Sequence, residues 1–485
     1  MVEQSTPKPL WTWDDLVRVS GGIGNGTPTR PITGFSIDTR SLAPGDVFVA
    51  LKDQRDGHEF VTAAFARGAA CALVDARYVR KPGDGALIQG SDTLEMLRNI
   101  AIAVRSRLAP TARVIAVTGS AGKTGTTAML RAALSTAGKT HAPEKSFNNH
   151  WGVPLTLARM PEDTEFAVFE IGMNHAGEIR PLTKLVRPHV AIITNVLPVH
   201  VGNFPDGEVG VANAKAEIFE GLVEGGVAII PRDGPHFDLL QRMALAASAD
   251  VRTFGNAEDA TARARRTLHA GSAEDSVTDI QAEVGGRKIR YQLATPGQHI
   301  ATNSLSVALC LDHLRLLSET ALAPLRTIGP SKGRGERTRY ATPHGPVLLI
   351  DESYNANPAS MHWAMILANL EVETPFERGV LVLGDMLELG DGAAKLHGDL
   401  GLFIVEALDN IELVFAAGAS MKLLFESLPV ERRGAWKLQS EALISDVLAA
   451  IRGGDVVMVK GSNGSRLAPI VDAIKKHFAG SSGSV

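Results

Sequence analysis

The chain has 485 residues, enough for about three domains, and is 45% hydrophobic and 21% charged, like an ordinary soluble protein. Its 49 basic and 53 acidic residues give a formal net charge of −4, which offers no reason to expect binding to nucleic acid or to an anionic membrane. It shows neither an apolar signal region nor an apolar run that could span a bilayer. We therefore expect a cytoplasmic protein with buried, reduced thiols at Cys71 and Cys310.

Residues 1–108 are predicted to form a small α/β module. Two strand-like runs flank a Pro-Gly turn at 44–45, a short helix and a third strand follow, and a helix from Leu94 ends before Pro110. Polar side chains gather at the end of the first strand, namely Ser36, Asp38, Thr39 and Arg40. A charged strand end is most often solvated surface, so these residues alone do not establish a binding site.

The central motif is a glycine loop between a buried strand and a helix, in the stretch 113–127, RVIAVTGSAGKTGTT. Glycines let backbone N–H groups approach an anion, and the first turn of the helix adds unpaired amides. We predict that Lys123 contacts the β- and γ-phosphates of ATP and that Thr124 binds Mg²⁺. The predicted ATP contacts are Gly119, Ser120, Ala121, Gly122, Lys123, Thr124 and Gly125.

This loop is a shortened variant, because Val117 stands where the usual phosphate-loop pattern has its first glycine. The competing interpretation is a Gly-rich turn that carries a solvated lysine. The order of strand, loop and helix favours the phosphate site.

Residues 109–328 are predicted to form a central domain with a largely parallel sheet, because strand-like and helical runs alternate. The carboxyl ends of such strands bring Glu170 and His200 beside the phosphate loop. Glu170 ends an apolar strand, where a hard cation would relieve the cost of burial, and we prefer a Mg²⁺ ligand to a solvent-facing charge. For His200, a ligand and a hydrogen-bonded structural residue remain open.

Lys215 lies at helical spacing with apolar residues and so shares the apolar face of its helix. One interpretation is a lysine whose stem packs while its ammonium group reaches water. The other is that burial near a second cation lowers its pKa, so that the neutral amine adds CO₂ and becomes a carbamate ligand for Mg²⁺. The residues alone favour the first interpretation.

A polar stretch follows Val251, then a hairpin with its turn at 285–286 and a helix that contains Asn303, either as a cap or as a reader of adenine. Residues 329–485 are predicted to form a second doubly wound α/β domain from four strands. Asn357 and Pro358 suit a helix cap and first turn at its binding edge. The four strands are Val347–Ile350, Val380–Leu383, Val414–Ala416 and Val456–Val459.

Together these motifs resemble the Mur ligase family of ATP-dependent amide-forming enzymes over nearly the whole chain. The resemblance implies three α/β domains: an amino-terminal UDP-binding module, a central phosphate-loop domain, and a Rossmann-like carboxyl-terminal domain that brings the amino substrate and closes over ATP. It also implies that Thr124, Glu170, His200 and carbamylated Lys215 hold two Mg²⁺ ions, which reverses our preference for Lys215. Lys123, Glu170, His200 and Lys215 would be the catalytic residues.

The resemblance further implies two sets of contacts. Additional ATP contacts would be Asn303, Arg334, Asp351 and Glu352. The substrate contacts would be Ser36, Asp38, Thr39, Arg40, Asn148, Asn149, Tyr354, Asn355, Asn357, Lys460 and Ser462.

The stretches DESYNANP, from Asp351, and GDMLELG, from Gly384, look most like the branch of the family that adds D-alanyl-D-alanine to UDP-N-acetylmuramoyl-tripeptide. The reaction implied passes through an acyl phosphate and uses small-molecule substrates. We expect no membrane insertion, and we take a monomer as the default oligomeric state. The alternatives are a sister ligase that adds another amino acid, a folylpolyglutamate synthetase, and a non-enzymatic nucleotide-dependent switch or scaffold.

Overall fold

A computed structural model describes residues 8–53, 55–143, 146–198, 201–247, 249–270, 277–294, 297–329, 332–387 and 389–479. The chain divides into two compact units. The first comprises residues 1–197, 212–269 and 278–326, and the second comprises residues 198–211, 270–277 and 327–485. The second unit therefore takes two short segments from the middle of the sequence.

The first unit begins with a five-stranded sheet in the order β1-β5-β4-β3-β2. Its strands are β1 (Ile23–Asn25), β2 (Gly34–Ser36), β3 (Asp46–Val49), β4 (Cys71–Asp75) and β5 (Ala86–Gly90). Its helices are α1 (Trp13–Ser20), α2 (Val61–Ala66) and α3 (Thr93–Arg107). All pairs are parallel except β1 with β5. The first predicted strand is shorter than expected, because Asp38 to Arg40 lie in a turn.

The first unit continues with a nine-stranded sheet in the order β14-β13-β12-β11-β10-β9-β6-β8-β7. Its strands are β6 (Arg113–Thr118), β7 (Thr140–His141), β8 (Phe166–Glu170), β9 (Val190–Ile193), β10 (Val227–Pro231), β11 (Asp250–Gly255), β12 (Ala262–Ala270), β13 (Val277–Val284) and β14 (Arg287–Leu293). The helices along this stretch are α4 (Lys123–Leu134), α5 (Gly152–Ala158), α6 (Ile179–Val186), α7 (Gly207–Ala216), α8 (Phe237–Ala246), α9 (Gln298–His313) and α10 (Glu319–Leu322).

Parallel pairing from β7 to β12 confirms the predicted central sheet, and the hairpin of β13 and β14 pairs Val284 with Arg287 across the expected Gly285-Gly286 turn. The polar stretch after Val251 contains most of β11 and all of β12, two strands that the sequence analysis did not assign. Only the last half of β11 is buried, so its sequence lacks the continuous apolar run of an interior strand.

The second unit contains a six-stranded sheet in the order β15-β16-β20-β17-β18-β19. Its strands are β15 (Glu336–Tyr340), β16 (Val347–Glu352), β17 (Arg378–Gly384), β18 (Ile411–Ala417), β19 (Arg433–Lys437) and β20 (Asp455–Lys460). Its helices are α11 (Pro358–Leu370), α12 (Ala393–Ala407), α13 (Met421–Ser427), α14 (Ile444–Ala450) and α15 (Ala468–Ala479). The four predicted strands are confirmed, and the sequence analysis missed the two edge strands β15 and β19.

Alternation along the central strand β20 shows why helices cover both faces of this sheet. Val456 and Met458 pack in a core cluster with α11, α12 and α13, whereas Val457 and Val459 pack in a second cluster with α14 and α15. A strand buried on both faces reads as a continuous apolar run, which is how the sequence identified it. The three sheets and their helices confirm the predicted α/β class.

A buried ion pair between Arg378 and Asp455 links β17 to β20. The Arg378 guanidinium donates to both carboxylate oxygens of Asp455, at 2.9 and 2.7 Å, and the Asp455 side chain is 0% exposed. Replacing Asp455 with asparagine would leave a poorly exposed guanidinium without its counter-charge. We expect Asp455→Asn to lower the free energy of unfolding by about 3 kcal/mol, measured by urea-induced unfolding.

The matched control is Asp399→Asn, because Asp399 pairs with Lys395 at 2.6 Å on the surface of α12, with 44% and 80% of the side chains exposed. We expect Asp399→Asn to lower the free energy of unfolding by less than about 0.5 kcal/mol. Equal losses in the two variants would contradict the role assigned to burial.

Within the described ranges, every helix is too short or too polar to serve as a membrane span. Cys71 and Cys310 are both buried and free, as the sequence predicted. Burial without a charged partner raises the pKa of both thiols, that of Cys310 to about 12. Neither thiol is therefore a reactive nucleophile.

Candidate functional site

The glycine loop follows β6 and precedes α4, as the sequence predicted. Gly119 has φ 149° and Gly122 has φ 81°, both in the region that glycine adopts without strain. A Cβ atom at Gly119 would lie 1.9 Å from Oγ1 of Thr194, so only glycine fits there. The loop therefore has the backbone path of a phosphate-binding turn, with the first amides of α4 at its end.

Lys123, at the first position of α4, folds back over this loop. Its Nζ donates to the carbonyl oxygen of Gly119 at 2.7 Å. The ammonium group thus lies against the loop backbone, where it could bind an anion together with the first amides of α4.

Glu170, at the end of β8, lies beside the first turn of α4. The residue is 2% exposed, and its Oε2 accepts from the Thr124 hydroxyl at 2.9 Å while its Oε1 accepts from Nδ2 of Asn148 at 2.6 Å. Ser146 Oγ lies 3.0 Å from the same Thr124 hydroxyl. The solvent-facing alternative for Glu170 is therefore wrong, and a buried carboxylate with neutral donors beside a hydroxyl suits a hard cation.

Lys215 lies near the end of α7 and is 3% exposed. Burial, and then the positive charge of Lys123, lower its pKa well below the ordinary value. Within the described part of the chain, no carboxylate forms an ion pair with it. The interpretation in which its ammonium group reaches water is thus wrong, because the side chain is buried near Lys123.

His200 lies outside the described residues. Among the residues that are described, no group of three or more His, Cys, Asp or Glu side chains is arranged to hold a metal ion. Around Thr124 and Glu170, phosphate, water or a modified lysine could supply further oxygen ligands.

Asn303 is not a helix cap, because α9 begins at Gln298 after Gly297. The residue is 4% exposed, and its Nδ2 would lie 2.1 Å from a Cβ atom at Gly122. Its amide therefore packs against the phosphate loop, which the sequence could not show because the two segments lie far apart in the chain.

The polar group after β2 is a compact turn. Ser36 Oγ donates to the backbone oxygen of Asp38, and the Asp38 carboxylate accepts from the backbone N–H and the guanidinium of Arg40, the latter at 2.7 Å. The Arg40 side chain is 85% exposed and can reach a ligand. Thr39 lies in the same turn.

The two asparagines that precede α5 have separate partners. Asn148 binds Glu170, as described above, whereas the Asn149 side chain accepts from the backbone N–H of Gly152 at 2.9 Å and so fixes the start of α5. In the same unit, Arg159 at the end of α5 donates to the carbonyl oxygen of Phe35 at 2.7 Å, which joins the two sheets.

In the second unit, polar residues collect at the carboxyl ends of β16 and β20. Lys460 is 2% exposed, and its Nζ donates to Glu352 Oε2 at 3.2 Å and to the carbonyl oxygen of Asn355 at 3.0 Å. Asp351 Oδ1 accepts from the Ser353 hydroxyl at 2.6 Å. The structure thus brings Asp351, Glu352, Asn355 and Lys460 to one edge, as predicted.

Four other predicted site residues, Arg334, Tyr354, Asn357 and Ser462, lie in the same unit. The Arg334 guanidinium lies 4.2 Å from the ring centroid of Tyr354. The Ser462 hydroxyl accepts from the backbone N–H of Leu387 at 3.0 Å. Asn357 caps α11, accepting from the N–H of Ser360 at 2.9 Å, and Pro358 occupies the first turn, which confirms both expectations.

The sequence analysis missed the residues that hold the phosphate loop and a buried histidine in the second unit. Thr194 and Asn195 hold the tip of the phosphate loop, and only their place directly after β9 could have indicated this. His397 is 0% exposed and its Nε2 accepts from the backbone N–H of Met386 at 2.9 Å, which orders the segment after β17. No sequence pattern identifies that contact.

Comparisons with known proteins cover most of the chain. A family model described as the Mur ligase middle domain matches residues 117–311, and one described as the Mur ligase, glutamate ligase domain matches residues 333–463. The UDP-N-acetylmuramoyl-tripeptide--D-alanyl-D-alanine ligase of Bacillus subtilis is 34% identical over 451 residues, covering 91% of this chain and 92% of that protein. The enzyme of the same name from Escherichia coli is 35% identical over 447 residues, covering 91% and 93%.

A solved structure extends this similarity to the fold. The crystal structure of MurF from Acinetobacter baumannii aligns with a TM-score of 0.79 at 27% identity and covers 97% of this chain and 100% of that chain.

Proposed function

This chain belongs to the Mur ligase family, and we propose that it is the ligase that joins D-alanyl-D-alanine to UDP-N-acetylmuramoyl-tripeptide at the expense of ATP. It is an ADP-forming enzyme whose product is the UDP-linked pentapeptide precursor of peptidoglycan. Relatives that cover about nine tenths of the chain carry this activity in their names. A sister ligase, a folylpolyglutamate synthetase and a nucleotide-dependent switch are therefore not favoured.

The observation that carries the proposal is the pairing of Thr124 with Glu170 at 2.9 Å, at the start of the helix that follows the glycine loop. A phosphate loop by itself would suit many nucleotide-binding proteins. A buried carboxylate on the Thr124 hydroxyl adds the ligand set of a magnesium triphosphate site. ATP and Mg²⁺ are thus the cofactors that these residues fit.

We propose that Thr124 and Glu170 hold one Mg²⁺ and that Lys215, as a carbamate, and His200 hold a second. The buried amine of Lys215 supports this assignment, because a neutral amine can add CO₂ and because a carbamate would offset the positive charge of Lys123. When bound, the ions would neutralise phosphate and carboxylate charge.

The residues fit a reaction in two steps. The terminal carboxylate of the tripeptide attacks the γ-phosphorus of ATP, which gives an acyl phosphate and ADP, and the amine of D-alanyl-D-alanine then attacks the acyl carbon and releases phosphate. The obstacle to the first step is the repulsion between two anions. Lys123 and the first amides of α4 reduce it, once Nζ has exchanged the Gly119 carbonyl for phosphate oxygen.

We propose three domain roles, which follow the predicted boundaries. Residues 1–108 would bind the UDP sugar through Ser36, Asp38, Thr39 and Arg40. Residues 109–328 would bind ATP and, through Asn148 and Asn149, the peptide substrate. Residues 329–485 would bind the dipeptide through Tyr354, Asn355, Asn357, Lys460 and Ser462, and would contact nucleotide through Arg334, Asp351 and Glu352. Asn303, packed on the loop, would contact the adenine side of ATP.

We further propose that the enzyme acts as a cytoplasmic monomer. Its two free, buried cysteines suit a reducing compartment. Light scattering on the purified protein, which measures its molar mass in solution, would test the proposed monomeric state.

A coupled ADP-release assay tests the activity. We expect ADP release only when both UDP-N-acetylmuramoyl-tripeptide and D-alanyl-D-alanine are present, and much slower release with single amino acids or glutamate as acceptor. Tripeptides that end in diaminopimelate and in lysine should both be assayed. Release without either substrate would favour a nucleotide-dependent switch, and release with glutamate on a folate would favour the folate alternative.

The exposed Arg40 gives a test of the UDP-binding module. Because its guanidinium can pair with a diphosphate, we expect Arg40→Ala to raise the KM for the UDP substrate about tenfold and to leave the KM for ATP unchanged. Arg18→Ala is the matched control, since Arg18 is also exposed and pairs with a nearby aspartate. Equal effects of the two substitutions would contradict the assignment.

A further inference from the structure

The tip of the phosphate loop is fastened to the two residues that follow β9. Thr194 Oγ1 donates to the carbonyl oxygen of Ala121 at 2.6 Å. The Asn195 side chain accepts from the N–H of Ala121 at 2.9 Å and donates to its carbonyl oxygen at 3.1 Å. We call Thr194 and Asn195 the loop clamp.

Neighbouring backbone contacts extend the same arrangement. The N–H of Ser120 donates to the carbonyl oxygen of Asn195 at 3.1 Å, and the Ser120 hydroxyl exchanges hydrogen bonds with the backbone of Leu197 at 2.9 and 3.1 Å. Thr194 is 2% exposed, so its hydroxyl bond is shielded from water. The loop tip therefore has little freedom to turn.

The clamp also determines which backbone N–H groups of the loop can donate a hydrogen bond to a bound anion. The N–H of Ala121 is turned toward Asn195 and is not available to phosphate. The first N–H groups of α4 have no partner within the helix and point out of its start, beside Lys123. The Thr194 hydroxyl also packs closely against Gly119. A Cβ atom at position 119 would lie 1.9 Å from Thr194 Oγ1, so this contact requires glycine at the bend of the loop.

We propose that Thr194 and Asn195 are positioning residues for phosphoryl transfer, which hold the loop so that the amides of α4 and Lys123 face the γ-phosphate. They act through the Ala121 peptide and do not touch the nucleotide. This inference rests on the proposed ATP-dependent ligation. Preorganised donors stabilise a transition state because they need not reorient, so a loosened loop would weaken ATP binding and also slow the chemical step.

The test compares Thr194→Val, which keeps the shape of threonine but lacks the hydroxyl, with Asn195→Ala, which keeps the backbone contact to Ser120. We expect each to raise the KM for ATP and to lower kcat, so that kcat/KM for ATP falls at least about tenfold, the factor of one buried hydrogen bond. The KM for the UDP substrate should stay within about twofold of the parent. Thr194→Ser, which restores the hydroxyl, should recover most of the activity.

The control is Thr183→Val, because the Thr183 hydroxyl donates to the carbonyl oxygen of Ile218 at 2.7 Å and the residue is 0% exposed. It removes the same kind of bond away from the loop, and it should lower the melting temperature as much as Thr194→Val while leaving the KM for ATP unchanged. A clamp variant with parental kcat/KM for ATP, or a Thr183→Val protein with the same ATP defect, would overturn the proposal. Absence of ATP-dependent ligation in the parent protein would instead overturn the proposed function.

Discussion

A Lys123→Ala protein is expected to lose ligase activity by at least about a hundredfold, because it lacks the ammonium group that lies against the backbone of the phosphate loop. The loss should fall on kcat as well as on the KM for ATP, since the charge on the transferred phosphoryl group is greatest in the transition state. Steady-state ADP release with saturating UDP substrate and dipeptide measures both constants.

The control is Lys139→Ala, which removes a lysine of the same unit that pairs with Asp163 on the surface, with 67% and 49% of the side chains exposed. Its activity should stay within about twofold of the parent. Parental activity in the Lys123 variant would refute the assignment of the loop as the site of phosphoryl transfer.

Lys215→Met is expected to abolish activity and yet to stabilise the fold. If the carbamate of Lys215 is a metal ligand, its removal should reduce activity at least about a hundredfold. Methionine matches the length of lysine and places no amine in the buried site, so the free energy of unfolding should rise. The parent protein should also yield mass spectra with one added CO₂, and carbon-13 bicarbonate should give a carbamate signal that the variant lacks.

The pH dependence of stability has a definite sign in buffer depleted of CO₂, where the amine is free. The folded pKa of Lys215 is lowered, whereas the unfolded value is about 10.4. Between these values the unfolded chain holds a proton that the folded chain lacks, so the free energy of unfolding increases as pH rises toward about 10.4. Lys215→Met should lack this part of the pH dependence.

Lys184→Met serves as the control for Lys215→Met, because Lys184 is 56% exposed and pairs with Glu220. It should keep parental activity and show no gain in stability. Lys215→Met with parental activity would contradict a catalytic role, and a loss of stability in that variant would contradict the buried, neutral amine.

Patterns that depend on near neighbours in sequence predicted the structure well. The loop from Gly119, the hairpin at Gly285-Gly286 and the cap at Asn357 each follow from a few consecutive residues, and the structure confirms all three. The apolar strands of the central and carboxyl-terminal sheets were recognisable because both of their faces are buried. Partly exposed strands such as β11, β15 and β19 lack that signal and were missed.

Contacts between distant segments could not be predicted in the same way. Whether Lys215 reaches water depends on what packs over it, and the residues of its own helix favoured the wrong answer. The placement of Asn303 against Gly122 depends on segments far apart in the chain. The order of the strands predicted that Glu170 lies near the loop, but only the structure shows that its carboxylate accepts a hydrogen bond from Thr124.

The second unit draws residues 198–211 and 270–277 from the middle of the sequence. A gene fragment that starts at residue 327 would therefore encode that unit without two of its three parts. Exchange of this unit between related enzymes, in the laboratory or by recombination, has to carry three separate pieces of coding sequence. Chimeras joined at residue 327 alone are expected to combine mismatched parts, and those that carry all three pieces should express better.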